Sequence, residues 1–180
     1  YYNIKLNNKF FGYNEYEISK IGFQLCLQLS IIHDNGYIYR DLKPENIINT
    51  HSNKNIWKII DYESVTLNNT CVNYYVGTYS WTAPEIDPNI KNNNINQYNI
   101  YNYNTDIWSL GMILLWLFLG GTHPLSIQMS NVSALYEFKW LLNTFNKFYK
   151  GFNHILLPYY NNNEITHEFY DFLVNNTLLW

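Results

Sequence analysis

A short stretch of the chain, residues 39–46, brings a carboxylate, an ammonium group and an amide close together. It reads Tyr-Arg-Asp-Leu-Lys-Pro-Glu-Asn, with Asp41, Lys43 and Asn46 carrying those three groups. A positioned carboxylate can accept the proton of a hydroxyl group. Lysine is a compact positive charge that suits a phosphoryl group, and an amide oxygen suits Mg²⁺. The spacing predicts a base, a cation and a metal ligand around one small volume.

A second carboxylate, Asp61, directly follows an apolar segment, residues 56–60. That segment and residues 47–48 are short and rich in isoleucine, and the polar residues 51–55 lie between them. This pattern predicts a β-hairpin. Pro44 disfavours α-helix just before the hairpin. Asp61 directly follows the second predicted strand, so it is expected where that strand ends and a loop begins.

Two further strings follow. Residues 77–85 read Gly-Thr-Tyr-Ser-Trp-Thr-Ala-Pro-Glu, and residues 106–111 read Asp-Ile-Trp-Ser-Leu-Gly. Residues 61–85, from Asp61 to the end of the first of these strings, show no hydrophobic period and are predicted to form a long loop. Loops of that length inside compact domains are usually functional or disordered.

The four strings, in this order, resemble the eukaryotic-type serine/threonine protein kinase catalytic domain. The resemblance implies that Asp41 is the catalytic base, that Lys43 contacts the transferring phosphoryl group, and that Asn46 and Asp61 bind Mg²⁺. The expected cofactors are therefore ATP and Mg²⁺, and the expected partners are protein substrates. The tripeptide Lys-Pro-Glu at 43–45 is similar to serine/threonine kinases rather than to tyrosine kinases.

The resemblance also implies positioning roles. Residues 61–85 would be the activation segment, ending at Glu85, with Thr78 bridging the catalytic aspartate and lysine. Residues 39–46 would be the catalytic loop. Asp106 would accept its backbone N–H groups near Tyr39 and Arg40, because burying a carboxylate is costly unless it is hydrogen-bonded. Arg40 resembles the arginine that pairs with a phosphate on the activation segment, which implies an upstream activating kinase as a further partner. The candidate acceptors of that phosphate are Thr70, Tyr74 and Tyr75.

Two positions depart from the family pattern. Tyr39 replaces the commoner histidine, and Glu63 replaces a glycine, so the backbone there is more restricted and carries added negative charge. A second hypothesis is therefore a pseudokinase, acting as a scaffold or an allosteric binding module. Glu63 favours it, as does the lack of a downstream arginine to pair with Glu85. The complete catalytic set favours an active kinase instead: Asp41, Lys43, Asn46 and Asp61.

The family's G-x-G-x-x-G loop and V-A-I-K lysine strand do not occur in the chain. We therefore expect residues 1–180 to be a partial kinase domain, truncated at both ends. It would begin with a hinge-proximal segment and form the C-terminal lobe, with the N-terminal lobe absent. ATP would then have contacts from one lobe only, so the isolated chain is expected to be inactive or weak.

The element pattern predicts a mainly α fold of the α+β type, with one small hairpin. Apolar residues at three- and four-residue steps indicate a first helix that ends at Gly36. Residues 89–104 are rich in Asn, Tyr and Ile and are predicted to be a solvated insertion. Thr105 suits the N-cap of a central helix. The predicted helices cover 15–35, about 106–119, about 131–149 and about 165–180.

Composition argues against several other classes of protein. The formal net charge is −3 and only 14% of residues are charged, so nothing indicates a nucleic-acid-binding surface. The longest apolar run, residues 110–119, is shorter than the roughly 20 residues that span a bilayer. Cys26 and Cys71 form no disulfide framework, which favours an intracellular location, in the cytoplasm or the nucleus. His33 lies just before the catalytic loop, where packing is the expected role.

Overall fold

Two long helices dominate the fold. The structure is a computed structural model, and it describes residues 5–6, 9–10, 12–50, 55–86, 99–124 and 156–177. Helix α1 is Glu15–Asp34 and helix α2 is Tyr103–Phe118. Helix α3, His167–Asp171, continues into a π-helical turn, Phe172–Thr177, and residues 156–161 are also helical. Among these described segments, no helix has the length and apolarity to cross a bilayer.

The strands are short and pair two by two. They are β1 (Lys5–Leu6), β2 (Lys9–Phe10), β3 (Tyr37–Ile38), β4 (Ile47–Asn49), β5 (Trp57–Ile59), β6 (Thr66–Leu67), β7 (Thr70–Val72) and β8 (Asn99–Tyr101). Each of the four sheets is one antiparallel pair: β1 with β2, β3 with β6, β4 with β5, and β7 with β8. The β4–β5 pair confirms the predicted hairpin, with Ile47 opposite Ile59. Helices with small antiparallel sheets agree with the predicted α+β class.

The chain divides into two compact units. The central unit is Ile21–Leu110, and the terminal unit is Tyr1–Lys20 with Gly111–Trp180. All of the candidate site residues lie in the central unit. Its fully buried large side chains are Leu25, Leu29, Ile38, Tyr39, Leu42, Ile86, Tyr101 and Leu110. The terminal unit has its own buried side chains, among them Ile18, Leu115, Leu156, Phe169 and Leu173.

Helix α1 begins and ends with residues suited to those places. At its start, the Asn14 side chain accepts from the Glu17 N–H and the Glu17 carboxylate accepts from the Asn14 N–H, both at 3.0 Å. This reciprocal pair satisfies two N–H groups that the helix itself cannot. At its end, Gly36 has a φ of 81°, a left-handed conformation that glycine adopts without steric cost. The predicted helix and its stop at Gly36 are confirmed.

Two glutamines on α1 hold the edge of the β4–β5 hairpin. The Gln24 side-chain oxygen accepts from the Trp57 N–H at 3.0 Å, and the Gln28 oxygen accepts from the Ile59 N–H at 2.9 Å. The Gln28 amide nitrogen also donates to the Trp57 carbonyl at 3.0 Å. A two-stranded ribbon is marginal on its own, so these bonds, which stand in for a third strand, fix the hairpin on the helix.

The central helix begins earlier than its sequence pattern predicted. It starts at Tyr103 rather than near 106, because Asn102 takes the capping role and accepts from the Asn104 N–H at 2.9 Å. Thr105 therefore lies inside the first turn and is not the N-cap. The prediction of a solvated insertion through 104 was also wrong at its end, since Asn99–Tyr101 forms β8. Residues 89–98 of that insertion lie outside the described residues.

The predicted loop over 61–85 contains two strands. Thr66–Leu67 forms β6 against β3, and Thr70–Val72 forms β7 against β8. Both strands are too short to show a period in the sequence, and both find their partners far along the chain. Towards the end of the chain, Thr166 caps α3 by accepting from the Phe169 N–H at 3.2 Å. The helix predicted over 131–149 lies outside the described residues.

Replacing Gln28 with leucine should destabilise the protein by about 2 kcal/mol, because the buried Ile59 N–H and the Trp57 carbonyl would each lose a partner. The measurement is the free energy of unfolding in urea. Ser30→Ala, on the same helix but exposed, is the control and should change that free energy by less than about 0.5 kcal/mol. Equal effects of the two substitutions would contradict the anchoring role of Gln28.

Candidate active site

Asp41, Lys43 and Thr78 form a closed triangle of hydrogen bonds. The Thr78 hydroxyl donates to Asp41 Oδ1 at 2.6 Å, and Lys43 Nζ donates to Asp41 Oδ2 at 2.7 Å. Lys43 Nζ also donates to the Thr78 hydroxyl at 2.8 Å. Both charged side chains are mostly buried, so their attraction is screened less than on an open surface. The triangle joins a residue of the catalytic loop to one that lies 37 positions further along the chain.

Asn46 is brought to Asp41 by a tight turn. Pro44 opens a single 3-10 turn, Pro44–Asn46, whose first position suits proline because that N–H needs no partner. The turn aims the Asn46 amide nitrogen at Asp41, where it donates to the carbonyl at 2.9 Å and to Oδ2 at 3.3 Å. These bonds use the nitrogen of the amide and leave its oxygen for a cation.

Asp61 lies at the same end of the β4–β5 hairpin as Asn46. The Ile60 N–H donates to the Asn46 carbonyl at 2.9 Å, so the residue just before Asp61 is paired with Asn46. Among the described residues, no three His, Cys, Asp or Glu side chains converge on one point. A cation held by Asn46 and Asp61 would thus take two oxygen ligands from this pair, which fits Mg²⁺, since it usually keeps waters and phosphate oxygens as its other ligands.

Two residues of the site have an unusual backbone. Arg40 has a φ of 73° and Asp61 a φ of 63°, the left-handed region that residues with a Cβ rarely adopt. Such conformations cost about 1–3 kcal/mol each and occur often at functional sites. Glu63, which replaces the family's glycine, is not among the described residues with positive φ. Its exposed side chain therefore needs no strained backbone in this conformation.

The Asp106 carboxylate collects three donors in a buried position. Oδ1 accepts from the Arg40 N–H, and Oδ2 accepts from the Tyr39 N–H and from His33 Nε2, each at 2.8 Å. Only 1% of the Asp106 side chain is exposed, so the negative charge relies on these donors in place of water. The two backbone bonds are those expected from the sequence. His33 was expected only to pack, and its bond to Asp106 was missed.

Tyr39 connects the catalytic loop to the end of β5. Its hydroxyl donates to the Ile60 carbonyl, and its ring meets the Tyr62 ring edge-on at 5.7 Å between centroids. Burial, followed by the nearby negative charge of Asp41, raises the pKa of the Tyr39 hydroxyl. The hydroxyl therefore remains a donor, and it links the residues just before Asp61 with those just before Asp41.

The chain around Thr78 has little room to move. Gly77 has a φ of 124°, and a Cβ placed there would lie 2.6 Å from Thr82 Oγ1 and 3.1 Å from the Arg40 carbonyl oxygen. The Thr82 hydroxyl donates to the Thr78 carbonyl at 3.0 Å. Glycine is thus required next to Thr78 for two reasons, its backbone angle and its close approach to the catalytic loop. Glu85, the last residue of the predicted activation segment, is half-buried and interacts with another residue.

The Arg40 side chain is engaged inside the protein. Its Nε donates to the Ser64 carbonyl, and its guanidinium carbon lies 5.3 Å from the centre of the Tyr101 ring. Of the candidate phosphate acceptors, Tyr74 is exposed, while the Tyr75 hydroxyl is hydrogen-bonded to Thr82. Pairing of Arg40 with a phosphate stays a prediction.

Comparison with known proteins shows the family to which this chain belongs. A family model described as the protein kinase domain matches residues 2–177. Because the match covers nearly the whole chain, the chain belongs to the protein kinase family.

The similar proteins are themselves described as kinases. The "probable serine/threonine-protein kinase dyrk2" of Dictyostelium discoideum is 33% identical over 113 residues, which is 63% of this chain and 11% of that protein. The "dual specificity tyrosine-phosphorylation-regulated kinase 3" of Rattus norvegicus is 31% identical over 119 residues, 66% of this chain and 19% of that protein. The "dual specificity protein kinase YAK1" of Saccharomyces cerevisiae is 34% identical over 119 residues, 66% of this chain and 14% of that protein. The aligned part thus spans less than a fifth of each relative.

Replacing Asp106 with asparagine should destabilise the protein by about 2 kcal/mol or more, since an amide nitrogen would face an N–H donor and leave it unsatisfied. The measurement is again the free energy of unfolding in urea. Asp34→Asn makes the same change at an exposed position and should shift that free energy by less than about 0.5 kcal/mol. If Asp106→Asn were no more harmful than its control, the catalytic loop would not depend on this carboxylate.

Proposed function

We propose that this chain carries the catalytic residues of a protein kinase that transfers the γ-phosphate of ATP to serine or threonine hydroxyl groups. The observation that supports it most is the triangle of Asp41, Lys43 and Thr78, with Asn46 attached to its aspartate. This reaction needs a base, a cation and a metal ligand close together, and here Asp41 is hydrogen-bonded both to Lys43 and to Asn46. In this proposal residues 1–180 contribute the C-terminal lobe, with 61–85 as the activation segment, and the protein acts inside the cell.

Each residue has a separate part in the proposed transfer. The oxygen of the substrate hydroxyl bonds to phosphorus while Asp41 accepts the hydroxyl proton. The bond from phosphorus to the ADP oxygen breaks in the same step. Thr78 holds Asp41 Oδ1, so the carboxylate cannot rotate freely. Lys43 offers its remaining donor capacity to the transferring phosphoryl group, because an ammonium group has three N–H bonds and the hydrogen bonds seen among the described residues use two of them.

Asn46 and Asp61 are the proposed Mg²⁺ ligands. Bound Mg²⁺ supplies positive charge against the phosphate oxygens. Asn46 and Asp61 both lie at one end of the β4–β5 hairpin, and the hydrogen bond from the Ile60 N–H to the Asn46 carbonyl holds their backbones near each other. Asp61 has a left-handed backbone, with a φ of 63°, and in this proposal it is the first residue of the activation segment, 61–85.

The acceptor class is argued from residue type. Lys43 is followed by Pro44 and Glu45, as in serine/threonine kinases, and Thr78 occupies the bridge to Asp41. Two of the similar proteins are named dual specificity kinases, so an acceptor test must offer tyrosine as well. We propose serine and threonine as the preferred acceptors.

A scaffold without catalysis is the second candidate, and Glu63 is the observation that favours it. Its carboxylate adds negative charge two positions from Asp61, where phosphate oxygens would approach. Two observations argue against the scaffold. The Glu63 side chain is exposed, and the Glu63 backbone N–H donates towards Asp61 Oδ1 at 3.4 Å, so the local turn accommodates glutamate. The catalytic hydrogen bonds are complete despite this substitution.

Asp41→Asn should lower phosphoryl transfer at least about 100-fold, the contribution typical of a positioned base, while the fold is kept. The chain is expressed with whatever natural coding sequence flanks it, and transfer of labelled γ-phosphate from Mg-ATP is measured on serine, threonine and tyrosine peptides. Asp34→Asn serves as the control.

A folded wild-type protein that transfers no phosphate with Mg²⁺ or Mn²⁺, before and after treatment with an activating kinase, would overturn the proposed reaction and favour the scaffold. Transfer to tyrosine peptides at the same rate as to serine peptides would overturn the proposed acceptor preference alone.

Asp61→Asn should raise the Mg²⁺ concentration needed for half-maximal transfer by roughly tenfold or more, because a charged oxygen ligand is lost. Glu63→Gln removes the same charge two residues away and is the matched control, with an expected shift of less than about twofold. The measurement is a Mg²⁺ titration at constant ATP. Equal shifts in both variants would indicate that only the overall negative charge matters, and Asp61 would not be a ligand.

A further inference from the structure

Strand β8 lies within the Asn-rich segment 89–104 and pairs with the proposed activation segment. In the β7–β8 ribbon, Thr70 lies opposite Tyr101, Cys71 opposite Ile100 and Val72 opposite Asn99. The Asn99 amide nitrogen donates to the Tyr74 carbonyl at 3.2 Å and extends the attachment by two residues. The middle of the activation segment is therefore held by residues that come after its end in the chain.

Tyr101 makes the contact closest to the candidate active site. Its hydroxyl accepts from the Val76 N–H at 2.7 Å and donates to the Val76 carbonyl at 2.9 Å. The side chain is fully buried, with Ile38 and Ile86 beside its ring. Both backbone groups of Val76 are thus satisfied by one side-chain oxygen, as a neighbouring strand would satisfy them.

The position of Val76 is passed on to Asp41 through a short, closed path. Val76 precedes Thr78 by two residues, and consecutive Cα atoms are a fixed distance apart. Gly77 between them is packed against Thr82 and the Arg40 carbonyl, so the backbone from Val76 to Thr78 has no room to absorb a shift of Val76. A displacement of Val76 would therefore move the Thr78 hydroxyl away from Asp41.

The same tyrosine also contacts the catalytic loop. The Arg40 guanidinium lies over its ring, and Arg40 immediately precedes Asp41. One side chain thus contacts the residue before Asp41 and, through its hydroxyl, the residue two before Thr78. These contacts use a neutral hydroxyl on backbone groups and the face of a ring against the Arg40 cation, and none of them needs a phosphate.

We propose that Tyr101, at the end of the β7–β8 ribbon, is a positioning residue for phosphoryl transfer that sets the Thr78–Asp41 contact from outside the activation segment. This inference rests on the proposed function, because Tyr101 touches none of the reacting atoms. It acts through Val76 and Thr78.

Tyr101→Phe keeps the ring and removes the hydroxyl, and we expect kcat per ATP-binding site to fall about tenfold with the KM for ATP unchanged. Amide hydrogen exchange at Val76 and Thr78 should accelerate. Tyr103→Phe is the matched control, since it removes a hydroxyl from the same cluster, and no bond from that hydroxyl to the activation segment is seen among the described residues. Its kcat and exchange should stay within about twofold of wild type.

A double-mutant cycle with Thr78→Val separates positioning from a general loss of stability. If Tyr101 acts through Thr78, the double variant should be no slower than Thr78→Val alone within about threefold, because the contact is already lost. Fully multiplicative effects, or a Tyr101→Phe variant that resembles Tyr103→Phe, would overturn the proposal. If Tyr101→Phe does not fold, Asn99→Ser weakens the same ribbon at Tyr74, and about a threefold fall in kcat is then expected.

The two readouts distinguish this inference from the proposed function. A wild-type protein that transfers no phosphate, while Tyr101→Phe still accelerates exchange at Val76 and Thr78, would overturn the proposed reaction and support the positioning of the segment. Transfer that is intact in wild type and unaffected by Tyr101→Phe would leave the proposed reaction standing and overturn the role of Tyr101.

Discussion

The buried Asp106 carboxylate is the constraint on which the rest of the site depends. It is one residue of the first turn of α2, yet its partners lie near the end of α1 and in the catalytic loop. A carboxylate removed from water is tolerated only if its donors stay in place, so the requirement acts on the donors as much as on the acid. The Arg40 N–H is one of them, and the left-handed Arg40 backbone that it stabilises determines where Asp41 points.

Asp41 is held from its other side by hydroxyl groups. Thr78 bonds to its carboxylate, Thr82 bonds to the Thr78 carbonyl, and the Ser109 hydroxyl donates to the Trp81 carbonyl at 2.9 Å. These residues lie at positions 78–82 and in the second turn of α2. The site therefore combines one buried charged residue, Asp106, with a series of neutral hydrogen bonds.

The sequence predicted those features that depend on local strings and missed those that depend on distant partners. Asp41, Lys43 and Thr78 could be selected because each lies in a short motif with a definite spacing, and the hairpin before Asp61 has its own apolar pattern. The hydrogen bonds from the Gln28 side-chain amide to β5 have no such sequence pattern, since a glutamine on an amphipathic helix looks like any other polar residue. Tyr101 was hidden for a different reason: it lies in a segment so rich in Asn and Tyr that a buried residue does not stand out.

The boundaries of elements followed the same rule. The stop of α1 was predictable because Gly36 supplies the backbone conformation that the helix end requires. The start of α2 was not predictable, because Asn102 and Thr105 are both good capping residues, and the structure shows the Asn104 N–H donating to Asn102. Where two neighbouring residues can make the same local bond, the local sequence does not show which of them caps the helix.

The replacement of the family's usual histidine by Tyr39 has a consequence for how the site responds to acid. An imidazole changes its charge near neutrality, so a histidine link between the catalytic loop and β5 would strengthen or weaken as the medium is acidified. The Tyr39 hydroxyl, with its pKa raised by burial and by Asp41, remains a neutral donor to Ile60 across that whole range. The hydrogen bond from Tyr39 to Ile60 is therefore insensitive to proton concentration, and any response of the site to acid must come from other groups.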